Sequence, residues 1–164
     1  MKQVVNILIN NPRIEVLRKK YDHVFRNRKT HVTLVYPFEV KDQAKLNEHI
    51  EYCLQGVEPF EIVFDKFRKS GSYLVLDVGK NQEKLLNLYK KLNSGMLQGF
   101  ENKDISVYLP HITLGIFESN EELMQVINES RARGSNYRVM VDKISLLTLN
   151  EDGSAKKIEN FLLK

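Results

Sequence analysis

The chain has one cysteine, Cys53, so no intrachain disulfide can staple it; its place among Leu46, Ile50 and Leu54 marks the buried side of a helix. Long hydrophobic runs are also missing. The apolar stretch within residues 1–11 is broken by Asn6, falls short of a bilayer span and has no small-residue cleavage site behind it. Neither secretion nor membrane insertion is expected, and the cytoplasm is the expected compartment. Clustered metal ligands are lacking as well: the two histidine motifs described below have no carboxylate or second histidine at ligand spacing, and Cys53 is isolated. No metal and no other cofactor is expected.

What remains is an ordinary soluble composition. The 164 residues are 42% hydrophobic and 28% charged, enough for one compact domain, residues 1–164, with a real core. The formal net charge is +4, and Arg18, Lys19, Lys20, Arg26, Arg28 and Lys29 crowd the stretch before His31. Such a bias attracts phosphorylated ligands or polyanions. Taken alone it describes a solvated basic face, and it gains meaning only from the motif that follows it.

Hydrophobic period and turn residues place strands at 3–9, 31–38, 60–67, 72–78, 111–117, 137–149 and 156–163. Helices are expected at 12–21, opened by Pro12, and at about 42–55, 82–97 and 120–132. Ser119 and Glu122 have capping-box spacing before the last of these, Ser70-Gly71 marks a hairpin, and Asp152-Gly153 marks the turn before the final strand. The order strand, helix, histidine strand, helix, strand occurs twice. Phe60–Phe67 also aligns with Tyr137–Ile144 at nearly the separation of the two histidines, which suggests an internal duplication. Two similar halves packed about an approximate two-fold axis would bring their central strands to face each other across a cleft.

Those central strands carry the chemistry. His31-Val-Thr-Leu34 and His111-Ile-Thr-Leu114 are one motif, His-x-Thr-Leu, repeated 80 residues apart. With four histidines and four threonines in the chain, it is expected by chance only about 0.01 times. Side chains two apart on a strand share a face, so His31 projects with Thr33, and His111 with Thr113, while Val32, Leu34, Ile112, Leu114 and Ile116 turn inward. Histidine titrates near ~6.5, so one ring can take a proton while the other gives one. Threonine hydroxyls can donate to the non-bridging oxygens of a phosphate. Strand parity adds Gly115 as a point of close ligand approach and Phe117 as a surface for stacking a base, with lobe-edge packing the other reading of Phe117. The same parity turns Tyr36 toward the core. His23 and His49 have no such partner and are read as surface or helix-border residues.

The paired motifs resemble those of the 2H phosphoesterase superfamily, the 2'-5' RNA ligase-like and cyclic phosphodiesterase proteins, over nearly the whole chain. Pro110-His-Ile-Thr-Leu-Gly115, Leu149-Asn-Glu-Asp-Gly153 and Phe161-Leu-Leu163 are similar to a small bacterial branch of it. The resemblance implies an α+β, bilobal fold, with two pseudo-two-fold-related antiparallel sheets, flanking helices and a central cleft. It implies a metal-independent phosphoesterase acting on 2',3'-cyclic phosphates, small cyclic nucleotides or 2'-5' linked RNA ends. His31 and His111 would then be catalytic, and Thr33 and Thr113 would bind the phosphate. The expected partners are RNA ends or small nucleotides, met by a monomer. A non-catalytic module gripping the same ligands in the same cleft is the alternative of a different class.

Overall fold

The structure is a computed structural model and describes residues 1–24, 26–100 and 107–164. The first apolar run forms strand β1 (Gln3–Leu8). Asn11 then accepts from the backbone N–H groups of Arg13 and Ile14, and Pro12 fills the first helical position, which together start helix α1 (Pro12–Tyr21). Strand β2 (His31–Phe38) returns antiparallel along β1. Asp42 caps helix α2 (Gln43–Leu54), which buries Leu46, Ile50, Cys53 and Leu54, so the lone cysteine is buried as expected. Strands β3 (Phe60–Ser70) and β4 (Tyr73–Lys80) form the hairpin, turned by Gly71 at φ +59°.

Helix α3 (Gln82–Leu92) follows, then strand β5 (His111–Ile116). Helix α4 (Asn120–Arg133) begins where the Ser119 hydroxyl accepts from the Glu122 N–H. The chain closes with strands β6 (Tyr137–Val141), β7 (Lys143–Leu149) and β8 (Ala155–Leu162).

The strands make two four-stranded antiparallel sheets, ordered β2-β1-β7-β8 and β5-β4-β3-β6. Each sheet puts its histidine strand at one edge, beside the strand that precedes it by one helix. The helices are exchanged between sheets: α1 packs on β5 and α3 on β2, while α4 lies on β3 and β4 and α2 lies on α3. Strands β2 and β5 meet directly. One apolar cluster, including Ile14, Leu34, Phe64, Leu88, Leu114, Ile127 and Leu146, draws on both sheets and all four helices. At about 1.5–3 kcal/mol for each fully buried side chain, this shared core is what holds the two sheets in register with one another. Among the described residues no helix is long and apolar enough to cross a membrane.

Three sequence expectations are corrected. The strand expected over 137–149 breaks at Asp142, because β6 pairs with β3 in one sheet and β7 with β1 in the other, and the chain must cross between sheets there. The segments that align by sequence, Phe60–Phe67 and Tyr137–Ile144, are therefore neighbours: Phe60 pairs with Val141 and Phe64 with Tyr137. By position in the sheets the counterpart of β3 is β7. Finally, the helix expected to reach residue 97 stops at Leu92, since the Asn93 amide donates to the carbonyls of Tyr89 and Leu34, both at 2.8 Å, and only a 3-10 turn, Gly95–Leu97, continues.

Candidate active site

Both histidine strands carry the same irregularity at the same place in the motif. On β2, Val35 pairs with Val5 but Thr33 pairs with Asn6, which leaves Leu34 as an extra residue; on β5, Gly115 pairs with Leu74 but Thr113 with Val75, which leaves Leu114 extra. An extra residue inverts the alternation beyond it. His31 and Thr33, and His111 and Thr113, are half-buried on the cleft faces, while Val32, Leu34, Ile112 and Leu114 are buried. The two bulged edges are tied together from the far lobe. Tyr108, just before β5, donates its hydroxyl to the Thr33 carbonyl at 2.6 Å, and Asn93 holds the Leu34 carbonyl. Burial, and after it the charge interactions with Tyr36 and with Tyr89, whose ring stacks on that of Tyr108 at 3.8 Å, push the Tyr108 hydroxyl far above its ordinary pKa and keep it a donor.

The two imidazoles are anchored alike. Nδ1 of His31 lies 2.6 Å from the Lys29 carbonyl, and Nδ1 of His111 lies 2.6 Å from the Leu109 carbonyl. A carbonyl oxygen only accepts, so Nδ1 carries the hydrogen and the neutral ring presents Nε2 as its lone pair. Burial lowers the pKa of both rings below the ordinary histidine value, and each bond to a carbonyl opposes that lowering. Around His31 the charges of Arg18, Arg28 and His111 push further down; around His111, Asp77 pushes up and Arg68 down.

The cations near His31 are held in place. Arg18 is 8% exposed and donates to the Arg28 carbonyl at 2.6 Å, the Thr30 hydroxyl at 3.0 Å and Asp22 at 3.0 Å, while Thr30 donates to Glu15. This fixes the residues that lead into His31. Arg28 lies over the turn between β7 and β8, with Nη2 2.5 Å from the point a Cβ at Gly153 would occupy. Two cavities open here. One of about 370 Å³ is lined by His31, Thr33, Tyr36, Asn6 and Arg28 among others; a second, of about 210 Å³, joins His31 to Thr113 with Tyr73, Arg18, Asp22 and Arg28. The structure thus brings His31 and Thr113, from different motifs, to one opening, with His111 near enough for its charge to be felt at His31. Among the described residues no three His, Cys, Asp or Glu side chains converge as metal ligands.

A family model for the 2'-5' RNA ligase superfamily matches residues 9–153. The chain belongs to that superfamily. A relative in Geobacillus sp. (strain WCH70), named "Putative phosphoesterase", is 32% identical over 152 residues, 89% of this chain and 85% of its own. The crystal structure of TT0787 of Thermus thermophilus superposes with a TM-score of 0.66 at 16% identity, covering 99% of this chain and 98% of its own. That of E. coli LigT complexed with 3'-AMP does so with a TM-score of 0.62 at 13% identity, covering 99% and 95%. These two structures share the fold, and the superfamily is one of phosphoesterases.

In this superfamily member the bulges overturn the expectations for Gly115 and Tyr36 drawn from plain alternation and decide between the two readings of Phe117. Beyond Leu114 the parity is reversed, so Gly115 turns away from the cleft: a Cβ there would stand 2.6 Å from the Tyr21 carbonyl carbon, and glycine serves the approach of α1 rather than of a ligand. Phe117 goes with it and packs on the Tyr21 ring at 6.0 Å. The same reversal on β2 brings Tyr36, expected toward the core, round to line the larger cavity beside Thr33. The break falls at the adjacent apolar pair Leu34-Val35, both buried. Asn6, Tyr73 and Asp77 carried no motif and enter the site through pairing across strands that sequence alone does not fix, and Tyr108 through its hydroxyl bond to Thr33.

Proposed function

We propose that the chain is a metal-independent phosphoesterase that hydrolyses 2',3'-cyclic phosphates, small cyclic nucleotides or 2'-5' linkages at RNA ends, with His31 and His111 as the general acid and base. The observation that carries this reading is the matched anchoring of the two rings, each by Nδ1 to the carbonyl two residues earlier. A ring held in this way is fixed in orientation and tautomer, as a base or acid must be. One histidine accepts a proton through Nε2 from a water whose oxygen attacks phosphorus. The other, protonated, gives its proton to the ribose oxygen as the P–O bond breaks, so the pair ends with its protons exchanged. Thr33 and Thr113 donate to the non-bridging oxygens, where negative charge grows. Arg18 and Arg28 favour an anionic ligand in the same opening. The presence of 3'-AMP in the LigT structure supports a nucleotide ligand here. On this reading residues 1–164 act as one unit of two lobes, of duplicated origin, working as a monomer in the cytoplasm.

The test is turnover of a panel of 2',3'-cyclic nucleotides, cyclic-phosphate-ended oligonucleotides and 2'-5' linked dinucleotides, in buffer containing EDTA. His31→Ala and His111→Ala are each expected to lose about 10²–10⁴-fold in kcat while the circular dichroism spectrum is unchanged. Full activity in both variants overturns the proposal. Tight binding without product would assign the cleft to a binding module instead.

A further inference from the structure

Beside the histidine, the cleft face of the first sheet carries one row of polar side chains that crosses all four strands. Pairing runs from Thr33 to Asn6, from Asn6 to Ser145 and from Ser145 to Asn160, one residue on each of the four strands. The next row is Val4, Leu147 and Ile158. Directly paired residues project from the same face, so the polar row leads away from the histidine strand, and its first two members, Thr33 and Asn6, line the larger cavity.

Its members are not equally satisfied. The Ser145 hydroxyl donates to Asn160 Oδ1 at 2.7 Å and is thereby turned from Asn6. Asn6 is 3% exposed and lines the larger cavity with His31, Thr33 and Tyr36, yet its Oδ1 accepts from no donor among the described residues. An acceptor buried without a donor is a standing cost to the fold, removed when a ligand supplies one. The architecture does not demand an amide there: the corresponding place in the second sheet, across from Thr113, is Val75.

We propose that Asn6 binds the ribose hydroxyl vicinal to the phosphate, so that the cavity over the first sheet takes the sugar of a ribonucleotide and selects ligands in which that hydroxyl is free. This rests on the reading that the phosphate sits between the two His-x-Thr motifs. Neighbouring strands are about 4.8 Å apart. One strand inward from Thr33 therefore matches the step from a phosphate on one ribose carbon to the hydroxyl on the next. A hydroxyl also suits an amide at either end, donating to its oxygen or accepting from its nitrogen. In a 2',3'-cyclic phosphate both oxygens are esterified, and the hydroxyl appears only when the ring opens. In a 2'-5' linkage the 3'-hydroxyl is free from the start. The inference therefore names 2'-5' linked ribonucleotides, and ring-opened monophosphates, as the ligands this site holds best.

Calorimetric titration of the whole protein with adenosine 3'-monophosphate and with 2'-deoxyadenosine 3'-monophosphate tests it. The deoxy compound is expected to bind about fivefold more weakly. Asn6→Val should bind both with the weaker affinity and leave inorganic phosphate binding unchanged. Equal affinity of the wild-type protein for the two nucleotides overturns the proposal whether or not the variant folds, and so does discrimination that survives in Asn6→Val. Failure of the underlying reading looks different: Thr33→Val and Thr113→Val would then leave the binding of inorganic phosphate and of both nucleotides untouched.

Discussion

Asp77 lies directly across the β4–β5 ladder from His111, whereas Leu8 holds the corresponding place across from His31. Asp77 is buried and takes both ends of the Arg68 guanidinium, at 2.6 and 2.8 Å. Two rings with the same backbone anchor therefore sit in different fields. His31 has Arg18 and Arg28 beside it, and His111 has a carboxylate whose effect is offset by its own arginine.

This predicts opposite shifts from the two halves of the Asp77–Arg68 pair. Asp77→Asn removes the charge that raises the His111 pKa and leaves Arg68 to lower it, so the limb of the pH–rate profile belonging to His111 moves to lower pH. Arg68→Gln removes a lowering charge and moves that limb to higher pH. Both are read from kcat/KM against pH on a cyclic nucleotide. Shifts in the same direction would show that the pair acts through packing alone.

The wild-type profile follows from the same directions. On the proposed mechanism the productive form has one ring neutral and one protonated, and burial lowers both pKa values from 6.5. As pH falls, protons enter the pair in two steps, and the singly protonated form is fullest between them. Both steps lie on the acid side of 6.5. The optimum of kcat/KM, which reports the free enzyme, is therefore expected below 6.5. A bound phosphate adds negative charge and raises both steps, so the optimum of kcat should lie at higher pH than that of kcat/KM. An optimum for kcat/KM well into the alkaline range would contradict the assignment.

Much of this arrangement was legible before the fold was known. The repeated His-x-Thr-Leu is local information: residue types and the two-residue strand period set which side chains travel together, and His31 with Thr33 and His111 with Thr113 do share their faces. The bulge one step further on depends on pairing with another strand, so plain alternation misplaced Gly115 and Tyr36 and left Phe117 between two readings, of which packing on Tyr21 holds. The exchange of β3 and β7 between sheets was hidden for a related reason. Segments 137–141 and 143–149 read as one strand, and only their different neighbours, Phe60–Phe64 and Gln3–Asn6, separate them.

Arg18 offers a test of how the entry to the first motif is held. Its guanidinium ties Asp22 to the Arg28 carbonyl and the Thr30 hydroxyl, and the side chains of Arg18 and Asp22 are 10% and 3% exposed. Arg18→Met strips a buried carboxylate of its guanidinium and should cost about 3 kcal/mol in urea denaturation. Asp22→Asn in the same chain should recover part of that loss, because no buried charge is then stranded. Amide exchange at residues 28–30 should rise in Arg18→Met while exchange in α4 is unchanged. Equal loosening of both regions would mean that the effect is global.

Gly115 separates packing from catalysis at the second motif. A methyl group there meets the backbone of Tyr21, which cannot rotate away as a side chain would, so α1 must shift on β5. Gly115→Ala is expected to destabilise the protein by about 1–3 kcal/mol. Because the residue faces α1 and not the cleft, KM for a small cyclic nucleotide should stay within about twofold at temperatures where the variant is folded. Tyr21→Ala combined with Gly115→Ala should not restore stability, since the carbonyl of residue 21 is present whatever the side chain. A large rise in KM with no loss of stability would return Gly115 to the ligand's side of the strand, and with it the unbulged reading of β5.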